Sequence, residues 1–336
     1  MSNETDKPRE SVSGNPLADG QDELIQQAHR KAQHFIDHET QFHLGVLPTE
    51  QSNPKTAGLA ETAQRDLEAA IGLLQSVDAD VPPKARAVFA GTEFQRLVQA
   101  LRRALEGQGR ICFSGCGATG RLSILLEVAW RQFWQGLQVR HPDLAARLPA
   151  LEHRVVSIMT GGDYALIRSV ENFEDYQVFG RRQVQEAELG KGDVLVAISE
   201  GGETSSVIGT IWQALDNGAE VFFAFNNPAA LLAKHIERSR QVIEDARVTV
   251  LDLSSGPMGV AGSTRMQATT SELLVAGAAL EIALSEVLRN RLDAVDLTRL
   301  AVADAGPADY SRWFGELLQE LSRPEAVAAL AAMVRY

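Results

Sequence analysis

Three short stretches of the chain set glycine beside hydroxyl side chains: "SGCGATGR" at 114–121, "SEGGETSS" at 199–206 and "SSGPMGVAGSTR" at 254–265. Glycine lets a backbone turn tightly and approach a ligand. A turn that opens a helix also offers free N–H groups at the positive end of the helix dipole, so it can hold an anion without Lys or Arg. Brought together, the loops would present the hydroxyls of Thr119, Ser199, Thr204, Ser205, Ser263 and Thr264 and the backbone of Gly117, Ala118, Gly120, Gly201 and Gly202. That composition suits one phosphate on a small polar molecule, such as a sugar phosphate. Arg265 would either approach the phosphate or hold its own loop. For any single loop, Ser and Thr capping a helix is the plainer reading. Three such loops, each at the end of a strand, favour binding.

The elements that must position these loops are legible from periodicity. From residue 110 onward, apolar strand-like runs at 110–114, 155–159, 194–199, 221–225 and 248–253 alternate with helical patterns at 121–134, 165–170, 176–188, 205–217 and 229–238. Continuous apolar strands separated by helices predict an α/β fold, a parallel sheet covered on both faces. In such a sheet, loops at the carboxyl ends of the strands converge on one crevice. Upstream, residues 1–20 read as a disordered polar tail and 21–108 as a helical segment, with helices at 21–38, 61–75 and 83–106. The sheet domain occupies 109–290. Downstream, 291–336 is a further helical segment that ends on "AALAAMVRY" as if cut short.

Composition narrows the partners. The 336 residues carry a net charge of −12, which argues against nucleic acid as a ligand. The longest apolar stretch, 273–284, is too short to span a bilayer, and no signal peptide opens the chain, so a cytoplasmic protein is expected. Two cysteines without neighbouring histidines, Cys112 and Cys116, make a poor metal site and read as small core or loop residues. No metal or cofactor is expected. Gly115, Gly117 and Gly120 spell the G-x-G-x-x-G of a dinucleotide turn, but the second strand ends in Thr160-Gly161-Gly162 without the acid that would hold a ribose. Nicotinamide and flavin are therefore disfavoured. The small-residue helix at 267–285 predicts self-association or a second similar domain.

At these residues the chain resembles the SIS-domain phosphosugar proteins, in the branch of N-acetylmuramic acid 6-phosphate etherase and the glucokinase regulatory protein. "LPTEQSNPKT" resembles the family's T-E-x-x-N-P segment, "GCGATGRL" its G-A-G-T-S-G-R-L turn, and "TGGDYALIRSVENFED" its A-G-G-x-x-A-x-x-x-A-V-E-x-x-E-D segment. "AISEGGETSSVIG" is similar to G-I-A-A-S-G-R-T-P-Y-V-I, and "GPMGVAGSTRMQATTSELL" to G-P-E-V-V-T-G-S-S-R-M-K-A-G-T-A-Q-K-L. The resemblance implies a three-layer sandwich around a five-stranded parallel sheet, the SIS fold, with a phosphosugar in the crevice. Thr119, Ser199, Gly201, Gly202, Thr204 and Ser263 fall where the family lines its site. It also implies a homodimer or a tandem SIS domain, and, for the regulatory branch, a kinase partner.

The etherase pattern uses two glutamates as acid and base. Glu174 matches one; the other, in L-D-A-S-E-C-P-P, falls on Ala129. Glu127 lies two residues earlier, ~200° around a helix. The Ser-Gly-Arg of the second turn is Gly201-Gly202-Glu203 here. These departures point to a sugar-phosphate-binding protein of the regulatory kind, with weak or no catalysis. The alternative is an etherase, a carbon–oxygen lyase whose second acid has moved to Glu127, Glu200 or Glu203, although Glu200 and Glu203 read first as helix-start acids favoured by the dipole. A sugar-phosphate isomerase ranks below both, since His235 is better explained by a helix surface. Release of lactate should accordingly be inefficient.

Overall fold

Val, Ile and Phe dominate the strand sequences ICFSG, VLVAI and EVFFAF, and these residues fit a pleated surface buried on both sides. A computed structural model of the chain describes residues 16–39, 43–168 and 173–335. Five strands, β1 (Ile111–Gly115), β2 (Val155–Met159), β3 (Val194–Ile198), β4 (Glu220–Phe225) and β5 (Val248–Asp252), form one all-parallel sheet of order β2-β1-β3-β4-β5. The order reverses direction between β1 and β3. In an open α/β sheet that switch point is where the crevice opens.

In chain order the helices are α1 (Pro16–His38), α2 (Leu59–Arg65), α3 (Leu67–Asp78), α4 (Val81–Phe89), α5 (Thr92–Glu106), α6 (Gly117–Arg140), α7 (Pro142–Ala145), α8 (Tyr164–Ile167), α9 (Gln177–Glu186), α10 (Ser205–Asp216), α11 (Ala229–His235), α12 (Glu237–Ile243), α13 (Gln267–Arg289), α14 (Ala294–Arg299), α15 (Pro307–Leu321) and α16 (Pro324–Arg335). Helix α1 belongs to a separate unit, residues 1–44, and 45–336 form the second unit. Helix α1 starts at Pro16, inside the stretch read as a disordered tail; residues 1–15 of that stretch lie outside the described residues. Three expected single helices are broken in two. Asp66 ends α2 and caps α3, its carboxylate accepting the Ala69 N–H at 3.0 Å, because a short acid at that position satisfies a helix start better than it extends a helix. Gly91, in extended conformation, separates α4 from α5, and Ile236 separates α11 from α12.

Side-chain alternation divides the sheet into two faces. Phe113, Val196 and Phe222 pack under α5, α6 and α13 in one large apolar core. Ser114, Phe223 and Phe225 face the side of α10, where the Ser114 hydroxyl meets that of Thr210 at 2.8 Å. The aromatic run 222–225 is therefore buried strand, with all three rings at 0% exposure. The C-terminal helices α15 and α16 pack back on α4 and α3. Among the described residues, no helix is long and apolar enough to cross a membrane.

Candidate functional site

The first glycine turn is closed on itself. Gly117 takes φ +57°, which only glycine adopts without strain. A Cβ on Gly115 would come within 2.5 Å of the Thr119 backbone, and one on Gly120 within 2.6 Å of Met159. These glycines let α6 start directly on β1 and β2. The Thr119 hydroxyl is spent in the same turn, accepting the Cys116 N–H at 3.0 Å and donating to the Cys116 carbonyl at 2.7 Å. Thr119 is 1% exposed. Gly117 is exposed and Ala118 half-buried, both at the mouth.

The second turn leaves more of its chemistry outward. Ser199 is buried, its hydroxyl bonded to that of Thr204 at 2.9 Å and accepting the Gly202 N–H at 3.1 Å. Gly202 takes φ +77° with Leu232 and Phe225 pressed against it. Gly201 and Ser205 are half-buried at the mouth. Thr204 opens α10 without capping it through its side chain. Glu203 pairs with Arg238 of α12 at 2.5 Å, and the same guanidinium donates to the Glu203 carbonyl. Position 203, where the etherase pattern has Arg, is here an acid paired to an arginine of another helix. Burial pushes the Glu203 carboxyl upward, against the pull of Arg238.

Glu174 is held between the two helix starts. Its carbonyl accepts the Ser206 N–H at 2.8 Å, and its carboxylate accepts the Cys116 thiol at 3.2 Å. Burial, then the charge of Glu174, pushes that thiol up to about 12, so Cys116 is a protonated hydrogen-bond donor rather than a nucleophile. Glu174 itself is exposed. Its neighbours at 169–172, including the first half of the "SVENFED" motif, lie outside the described residues.

Glu200 lies two residues beyond β3, half-buried, its carbonyl accepting the Asn226 N–H at 2.9 Å. Burial, with the charges of Glu174 and Glu203, pushes its carboxyl up to about 7. Behind it, Asn226 donates to Glu272 of α13 at 2.7 Å. Glu272 is fully buried, which holds its carboxyl well above the usual range, and its Oε2 has no hydrogen-bond partner among the described residues.

The third loop is braced by the segment upstream. Asn53 donates to the Pro257 carbonyl at 2.7 Å, and Asn227 bridges the Thr49 hydroxyl and the Gly201 carbonyl at 3.0 and 2.9 Å. Gln267 accepts the Gly259 N–H at 2.7 Å. Gly262 lies beside Glu50, whose charge reaches Glu203. Ser263 and Thr264 are half-buried and Arg265 is exposed just before α13. Among the described residues, the side chains of these three make no hydrogen bond or ion pair with the other two loops. The sequence reading missed Cys116, Thr49, Asn226, Asn227 and Glu272. A lone amide or thiol carries no spacing signal, and their partners lie far away in the chain.

Position 129 is removed from this edge. The pattern that resembles the etherases has Pro-Pro at positions matching Arg131 and Gln132, and proline stops a helix. Here α6 runs unbroken for 24 residues, putting Ala129 about 18 Å along it, in an apolar groove with Trp130, Phe133 and Leu280. Glu127 bonds Arg131 at 2.8 Å and Ser157 at 2.5 Å, on the flank of β2. It is not part of the crevice.

Two helix starts, a switch-point crevice and an acid suspended between them define a class, the SIS-domain proteins. Residues 93–215 match the family described as the glucokinase regulatory protein N-terminal SIS domain. N-acetylmuramic acid 6-phosphate etherase of Rippkaea orientalis is 31% identical over 264 residues, 77% of this chain and 76% of its own. The enzyme of the same name from Pseudothermotoga lettingae is 30% identical over 232 residues, 69% of this chain and 68% of its own. A phosphoheptose isomerase from Neisseria gonorrhoeae aligns over 65% of this chain and 99% of its own at 13% identity and TM-score 0.46. The chain belongs to the SIS-domain family, in the branch that holds N-acetylmuramic acid 6-phosphate etherase and the glucokinase regulatory protein.

Proposed function

We propose that the protein binds a phosphorylated amino sugar in this crevice and cleaves a carbon–oxygen bond in it, as the names of its relatives suggest. The observation that carries the reading is Glu174, tied through its carbonyl to the head of α10 and through its carboxylate to the head of α6. An acid held there stands beside both helix starts, where the phosphate of a bound sugar would lie. The phosphate would sit by Ser205 and the 263–265 loop, where Arg265 makes no ion pair among the described residues, away from Glu200. Free thiols and a phosphorylated substrate fit a cytoplasmic protein.

A second reading, a binding protein without turnover, is favoured by Ala129 and the uninterrupted α6. Such a protein would act through a partner, with a kinase as the case the regulatory branch suggests. Two measurements separate the readings: thermal stabilisation by N-acetylmuramic acid 6-phosphate, and lactate released from it. Stabilisation with lactate supports the lyase. Stabilisation without lactate supports the binding protein. Stabilisation by a dinucleotide alone refutes both.

A further inference from the structure

We propose that Glu200, at the end of β3, is the second acid/base residue of the crevice and works with Glu174. This rests on the lyase reading above and names the group that reading lacks. The requirement is chemical: elimination needs one group to take the proton beside the carbonyl and another to protonate the departing ether oxygen. Ala129 supplies neither, and three other glutamates are engaged elsewhere. Glu127 is spent on Arg131 and Ser157 beside β2. Glu203 is locked to Arg238. Glu272 is 1% exposed, behind Asn226.

Glu200 alone among them sits at the mouth without an ion pair among the described residues. Its backbone is fixed, the carbonyl accepting the Asn226 N–H at 2.9 Å while Ser199 holds the turn through Gly202. In the sheet Ser114 of β1 pairs with Ala197 of β3, so residue 200 leaves β3 beside the turn after β1, whose Cys116 thiol draws Glu174. A carboxyl near 7 is protonated in part at neutral pH and can therefore give a proton and take it back.

In the proposed step, Glu174 removes the proton beside the carbonyl of the open-chain sugar. The freed electron pair becomes a carbon–carbon double bond, and the adjacent carbon–oxygen bond breaks. The departing oxygen keeps that bond's electrons and receives the Glu200 proton, leaving as the lactate hydroxyl. Water then adds across the double bond: Glu200 takes one proton from it, its oxygen joins the carbon that lost lactate, and Glu174 returns the first proton. The sum is ether plus water giving sugar alcohol plus lactate, with both glutamates restored.

The test gives N-acetylmuramic acid 6-phosphate to wild-type protein, Glu200→Gln and Glu174→Gln, measuring lactate release against pH and thermal shift by the same compound. Wild-type release should fall as pH rises through about 7, where Glu200 loses its proton; the groups around it are Glu174, Glu203 with its Arg238, Glu272 and Cys116. Glu200→Gln should lower release by about 10²–10⁴-fold, abolish that pH limb and keep the thermal shift. Wild-type release rates in Glu200→Gln, or an unchanged pH limb, overturn the proposal while leaving the lyase intact. A thermal shift without lactate from the wild type overturns the proposal and the lyase together but leaves binding. No thermal shift by the compound removes the site reading itself, and the proposal with it.

Discussion

The turns after β1 and β3 have nearly the same composition and spend it differently. After β1, Gly115 and Gly120 are consumed in bringing α6 onto the strands, and Thr119 is consumed in bonding its own turn. After β3, Ser199 and Thr204 hold the turn's shape, while Gly201, Ser205 and Glu200 remain at the mouth. One turn is a hinge post for a helix; the other is a rim. A glycine-and-hydroxyl motif therefore does not by itself say whether its hydroxyls meet a ligand. What decides is whether the turn's own N–H groups have already claimed them, because a buried N–H left unpaired costs about 1–3 kcal/mol.

The largest expected effect falls on the acid suspended between the two turns. Glu174→Gln removes a proton acceptor while keeping the side chain's size. Lactate release should drop about 10²–10⁴-fold with the thermal shift by the sugar phosphate preserved. Loss of the thermal shift instead would make Glu174 a binding residue and blur the distinction between rim and post.

The second test compares glycines. Gly115→Ala drives a methyl into the Thr119 backbone, which cannot yield, so the fold should lose about 1–3 kcal/mol or more in urea unfolding. Gly201→Ala meets only the Glu203 side chain, its carboxylate oxygen at 3.1 Å, and no backbone, so it should lower the unfolding midpoint less. Equal losses would mean that both turns are structural.

Much of this was readable in the sequence, for physical reasons. Strand runs such as "VLVAI" have no helical alternative at that length between glycines, so the parallel sheet and its order of loops follow from pattern. Glu174 was singled out through its motif, and the structure ties it to the heads of α10 and α6. Thr119 looked the same as Ser205 in sequence, since capping and exposure differ only in three dimensions. Glu200 read as a helix-start acid of α10, yet it lies five residues before that helix, its backbone tied to Asn226 beyond β4. Pairings over such distances leave no periodicity to read, and the same holds for Asn226 with Glu272 and Asn53 with Pro257.

Two hydroxyls sharpen the comparison further. Thr119→Val leaves the Cys116 N–H unpaired in the closed turn and should cost about 0.5–2 kcal/mol of stability with ligand stabilisation unchanged. Ser205→Ala, at the rim, should cost less stability and reduce the thermal shift by the sugar phosphate. The reverse pattern would make Thr119 the ligand contact.

The smallest effect concerns the carboxyl behind the rim, and its sign is set by linkage. Glu272 is buried, with its folded-state pKa raised well above the model-peptide value of 4.5. Below that value the acid is protonated in both the folded and unfolded chain, and its full contribution is present. As pH rises, the unfolded chain releases the proton while the folded chain retains it, so stability falls steadily until the raised folded pKa is reached. Glu272→Gln removes that slope. The amide oxygen still accepts from Asn226, and the new N–H₂ can supply a donor to Asn226 Oδ1, which now has no partner among the described residues. The variant should therefore match the wild type near pH 4 and exceed it increasingly toward pH 8, by about 2–4 °C in Tm for each 1 kcal/mol gained. Glu200, raised for similar reasons, contributes its slope to both proteins and largely cancels in the difference. A difference in Tm that does not change with pH would show that Glu272 titrates alike in the folded and unfolded chain, and that the floor behind the rim is not held neutral.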